Sequence, residues 1–85
     1  MILTNAGNGT TGVNEMPEYT EGEYRVGISF NPGGNEKVTE IKRLAAKLID
    51  YVADHGQDAR CTSLAQTALE EAAMWAVKSV TKPAR

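Results

Sequence analysis

The stretch NEKVTEIKRLAAKLIDYVADH, residues 35–55, decides the fold. Apolar side chains fall at Val38, Ile41, Ala45, Leu48 and Val52, with Leu44, Ile49 and Tyr51 widening the stripe. Steps of three and four place these positions on one face of an α-helix. Asn35 stands where an N-cap accepts free backbone N–H groups, and Glu36 where the helix dipole favours an anion. His55 lies in the last turn and Gly56 takes the C′ position. The spacing predicts a helix over residues 35–55.

A second helix follows over residues 59–81, with Asp58 as its N-cap and Pro83 stopping it. Its inward face reads Cys61, Leu64, Ala65, Ala68, Leu69, Ala72, Trp75, Ala76 and Val80. The alanines allow close approach of two backbones, and Trp75 projects a large apolar surface beyond them. The connection around residues 56–58 is short, so the two helices are antiparallel neighbours. The fold class is all-α, a helical hairpin preceded by a short N-terminal segment. Two helices cannot cover both sides of their apolar stripes, and a chain of 85 residues buries only about 60% of its unfolded surface. Self-association into a helical homo-oligomer is expected, with Met74 and Trp75 packing between protomers.

Upstream, residues 1–22 are rich in Gly, Asn, Thr and Glu and show no periodicity, which reads as a flexible acidic tail. Residues 23–85 form the folded domain. Residues 23–30 fit either a short extended segment or one or two helical turns, with Gly27 opposing a stable helix. The formal net charge of −2 hides an asymmetry. Residues 1–23 carry Glu15, Glu18, Glu21 and Glu23 without a Lys or Arg, so the rest of the chain is slightly basic. That surplus is too small for a protein living on duplex DNA and suits a compact anionic ligand better. Cys61 is the single cysteine, so no internal disulfide forms, in keeping with a reducing cytosol. No run approaches the roughly 18 apolar residues of a membrane span, and no signal peptide is recognisable. An intracellular protein without a membrane partner is expected.

Between the tail and the first long helix lies Phe30-Asn31-Pro32-Gly33-Gly34. An aromatic side chain there can stack on a base, or it can pack onto the first helical turn as a hydrophobic staple. Pro32, Gly33 and Gly34 can cradle an anion ahead of a helix start, or simply make a turn. Lys42, Arg43 and Lys47 can meet phosphates, Arg43 in bidentate fashion, or can form a solvated face with Glu36, Glu40 and Asp50. The loop is not a Walker loop and not a Gly-x-Gly-x-x-Gly fingerprint.

Catalytic groups are sparse. Glu70 and Glu71 occupy adjacent helical positions and face different ways. His55 caps a helix end, and Cys61 lies on the apolar face, so a nucleophile–base pair is not expected. One His and one Cys make no zinc site. Neither an enzyme nor a cofactor is expected.

Several segments together resemble the phage anti-CBASS protein 2 family: Tyr24-Arg25-Val26-Gly27, Phe30-Asn31-Pro32-x-Gly34, Val38-x-x-Ile41-Lys42, Leu48-Ile49-Asp50, and the run from Glu70 through Trp75 to Lys82. The resemblance covers about residues 24–82. It implies a compact helical protomer assembled into a hexamer. It implies a sponge for cyclic oligonucleotides in the cytoplasm of the infected bacterium, acting without catalysis. Cyclic dinucleotides such as cGAMP would sit in pockets between protomers, and cyclic trinucleotides in separate pockets near the three-fold axis. Phe30 is then the base-stacking aromatic, and Asn31 reads a base edge or holds the loop. Pro32, Gly33 and Gly34 let backbone approach the ligand. Lys42 is the best phosphate partner, with Arg43 and Lys47 as substitutes. Gly33 stands where the family pattern leads one to expect serine. For the trinucleotide pocket the candidates are Arg60, Thr62 and Thr81.

Other classes of function remain open at this level. A small nucleic-acid-binding protein would need a basic face, whereas the charge is mixed. A structural adapter would use the Trp75 face for a partner protein. An enzyme degrading the messenger would need a catalytic constellation.

Overall fold

The computed structural model describes residues 18–84. Among them are three helices and no strand: α1 (Glu21–Val26), α2 (Glu36–His55) and α3 (Ala59–Thr81). The all-α hairpin expected from the sequence is present. Residues 1–17 of the acidic segment lie outside the described residues, while Thr20, Glu21 and Gly22 belong to the helical unit.

Both long helices start where their caps stand. The Asn35 side chain accepts from the N–H groups of Lys37 and Val38, and Asp58 accepts from that of Cys61. Gly56 does not serve the left-handed C′ role. Its φ and ψ are −69° and 132°, open to any residue. Glycine is needed there for space, because a Cβ would come within 2.0 Å of Thr62 Oγ1.

The segment left ambiguous between extended and helical is a helix with both ends sealed. Thr20 and Glu23 form a capping box, each side chain bonding the other's backbone N–H at 3.0 Å. Gly27 closes α1 in the left-handed region, φ 63°, where glycine carries no steric penalty. A helix of six residues has no stability alone, so α1 depends on its seat against α2. Gly22 is that seat. A Cβ on it would stand 2.2 Å from the Ala46 carbonyl oxygen. Its N–H, one of the unpaired donors of the first turn, bonds Asp50 Oδ1 at 2.7 Å. Replacing Gly22 with alanine is expected to destabilise the protein by about 1–3 kcal/mol through overpacking. Chemical denaturation checks this; an unchanged midpoint would mean that α1 does not rest on α2 at Gly22.

The core is small. Val38, Ala46, Ile49 and Ala73 are the buried apolar side chains among the described residues, and only Ile49 is fully enclosed. Relative to the stripe read from spacing, α2 is turned by about one residue. Its inward line is Val38, Lys42, Ala46 and Ile49, whereas Leu44, Leu48 and Tyr51 are exposed. The inward face of α3 is likewise shifted to Gln66 and Ala73, flanked by half-buried Ala65, Leu69, Ala76 and Val77. Cys61, Leu64, Ala68, Ala72 and Trp75 lie outside it. The physical reason is that α1 covers only one side of the hairpin, so one apolar stripe is buried and the other is left open.

Candidate functional site

The connection between α1 and α2 is anchored from both sides. Phe30 N–H bonds the Gly27 carbonyl at 2.9 Å, and Gly34 N–H bonds the Asn31 carbonyl at 3.0 Å. The second bond closes a turn with Pro32 and Gly33 at its centre, and Gly34 takes φ 62° at its exit. The Asn31 amide donates to the Asn35 carbonyl at 2.8 Å and to Thr39 Oγ1 at 2.9 Å. Its own oxygen accepts from Asn35 N–H. Asn31 therefore holds the loop, one of the two roles expected of it, and ties it to the first turn of α2.

Phe30 does not form a staple. Its side chain is 71% exposed and stands at the edge of an open cavity of about 330 Å³. Asn31, Pro32, Gly33 and Lys42 also line that cavity, so the structure brings most of the expected dinucleotide set together. Apolar walls come from Val38, which spacing assigned to the helix stripe, and from Val77. Thr81, one of the trinucleotide candidates, also lines this cavity. Gly34 shapes the turn behind it. Among the described residues no carboxylate lines the cavity, and Lys42 is its one charged lining residue.

The remaining basic candidates lie elsewhere. Arg43 and Lys47 line a different hollow with Leu44, Leu48 and Tyr51. Arg43 pairs with Glu40 through two hydrogen bonds on the exposed face of α2. The hydrogen bond from Arg43 holds the Glu40 carboxyl below its usual range, and the same pair raises the Arg43 guanidinium. Within one chain neither residue reaches the Phe30 cavity. Arg60 and Thr62 lie in the first turn of α3, and the Thr62 hydroxyl donates to the Asp58 carbonyl at 2.9 Å.

The reactive groups are engaged in structure. The Asp58 carboxylate keeps the Cys61 thiol above its ordinary pKa, and Cys61 is exposed rather than in the core as expected. It sits in the first turn of α3, where Asp58 caps the helix and turns it outward. His55 Nδ1 lies 3.0 Å from the Tyr51 carbonyl oxygen, and the two rings stack at 4.2 Å. Glu70 meets Arg25 at 3.4 Å, whereas Glu71 accepts from the Trp75 indole N–H at 3.4 Å, so these neighbours do face different ways. Arg25 also bonds Glu21 within α1 at 2.7 Å, and its pair with Glu70 ties α1 to α3. Among the described residues no group of three or more His, Cys, Asp or Glu could hold a metal ion. None of the described helices is long and apolar enough to cross a membrane. Met74 and Trp75 are 65% and 60% exposed, with the Lys78 ammonium 5.0 Å from the Trp75 ring.

A family model described as Acb2/Tad1, hairpin domain, matches residues 22–81. No curated protein and no solved structure matches the chain. The matched span begins at Gly22, the residue that seats α1, and ends at Thr81, the last residue of α3. The site loop and both hairpin helices fall inside it, and the chain belongs to the Acb2/Tad1 hairpin-domain family, the anti-CBASS protein 2 family.

Proposed function

We propose that this protein binds cyclic di- and trinucleotide messengers, cGAMP among them, and holds them uncleaved. CBASS effectors in the infected bacterium are thereby starved of their activator. Family membership supports the class of ligand. The observation that carries the site is the exposed Phe30 ring on a cavity lined by a lysine and, among the described residues, by no carboxylate. A base stacks on the ring.

The cavity is also incomplete. At about 330 Å³ and open, it lies at the low end of the roughly 300–1,000 Å³ common for ligand sites. A second protomer supplies the missing wall. The open stripes carrying Leu44, Leu48 and Tyr51 on α2, and Leu64, Met74 and Trp75 on α3, are what assembly into a hexamer covers. Ligand binding and assembly then reinforce one another. Arg43 and Lys47 come to a ligand only from a neighbouring protomer, and Arg60, Thr62 and Thr81 stay the candidates for trinucleotides. The chain acts as a sponge rather than an enzyme.

Calorimetric titration with 3′,3′-cGAMP tests the reading. Saturable heat supports it. No heat with any cyclic di- or trinucleotide overturns it and leaves an oligomeric adapter acting through the Trp75 face.

Gly33 gives a further check. A Cβ there meets nothing within 4 Å, and its φ is not positive. Gly33→Ser is expected to fold with unchanged stability and to bind the dinucleotide about tenfold more tightly, as a hydroxyl bonded to a charged phosphate contributes about 1.5–3 kcal/mol. Unchanged affinity in the same titration would place position 33 away from the phosphates.

A further inference from the structure

Lys42 is a buried cation, 8% exposed, on the inward line of α2. Its Nζ donates to the Gly27 carbonyl at 3.0 Å and to the Phe30 carbonyl at 2.5 Å. The Phe30 ring centroid is 5.4 Å away, inside cation–π range. None of the ion pairs among the described residues includes Lys42. An ammonium has three N–H donors, and here two of them bond backbone.

Burying a charge without a counter-ion is costly unless strong hydrogen bonds compensate. The compensation comes from two carbonyls at the two ends of one turn. Gly27 closes α1, and Phe30 opens the site loop. The amine thus staples the end of α1 and the start of the loop onto α2. Asn31 anchors the loop on its other side, through Asn35 and Thr39. The Phe30 side chain has little packing of its own, so these two anchors fix where its ring stands.

We propose that Lys42 is a positioning residue for Phe30: it sets the stacking ring by pinning the loop carbonyls instead of gripping a ligand phosphate. This deepens the proposed reading of the cavity as a cyclic dinucleotide site and rests on it for the ligand. The loop-pinning itself does not depend on any ligand.

Hydrogen exchange on the ligand-free protein separates the two. In Lys42→Met, the Phe30 and Gly34 amides are expected to exchange at least tenfold faster than in the wild type, while amides in the middle of α3 change little. Unchanged exchange at Phe30 and Gly34 overturns the proposal, and so does a uniform rise across α3, which would mark a general loss of fold. Should Lys42→Met fail to fold, the wild-type ammonium provides the reading. Its nitrogen-bound protons are expected to give a resolved signal with cross-peaks to the Phe30 ring, and their absence overturns the proposal. In the binding arm, Lys42→Met weakens 3′,3′-cGAMP at least tenfold with the wild-type salt dependence retained. A lower salt slope identifies a direct phosphate contact and contradicts the proposal. If the wild type binds no cyclic dinucleotide, the ligand reading fails while the exchange result still decides the role of Lys42 in the loop.

Discussion

Phe30→Ala is expected to weaken binding of 3′,3′-cGAMP by about 5- to 150-fold, because stacking of one base on an aromatic ring contributes about 1–3 kcal/mol. The same change should leave the fold intact. Phe30 is largely exposed, and its chief inward neighbour is the Lys42 ammonium beyond its ring. The backbone anchors at its N–H and carbonyl do not need the side chain. Calorimetry for affinity and thermal denaturation for stability make the comparison. Full-strength binding by a folded Phe30→Ala variant would remove Phe30 from the site.

Trp75→Ala is the second large effect, and it falls on assembly. Trp75 is exposed in the single chain and stands beside Met74, with Lys78 over its ring. Truncation costs the protomer few internal contacts. Buried between protomers, a tryptophan is the kind of residue whose loss costs an interface 2 kcal/mol or more, at least about 30-fold in association. Light scattering is expected to show the assembly of the wild type falling toward the monomer mass in Trp75→Ala. An unchanged mass would sink the packing role of Trp75. Because a neighbour completes the cavity in this account, weaker assembly should weaken ligand binding as well.

The long helices were legible because their ends carry chemistry. Asn35, Asp58 and the short connection beginning at Gly56 mark the hairpin at residue level, and the structure follows them. The α1 signal was also present, since Thr20 and Glu23 have capping-box spacing, but Gly27 weighed against a helix. In the structure Gly27 ends that helix. What spacing does not decide is which of two apolar stripes faces the chain's own core. The Val38–Ile49 line and the Leu44–Leu48–Tyr51 line have nearly the same period, and a lysine on the first disguises it. Lys42 is inward because backbone carbonyls of the loop receive its amine, and those are invisible in a pattern of side chains. The grouping of Phe30 with Asn31, Pro32, Gly33 and Lys42 was readable from sequence. The separation of Arg43 and Lys47 from them depends on the rotation of α2, and the arrival of Val77 and Thr81 depends on the antiparallel register. Neither follows from local sequence.

Recovery of the ligand tests the central claim most directly. The protein is loaded with 3′,3′-cGAMP, freed of excess ligand, held for hours and digested with protease, and the released material is identified by mass spectrometry. Sequestration predicts intact 3′,3′-cGAMP in the amount that was bound. A linear or further degraded product would contradict it and make the protein an enzyme.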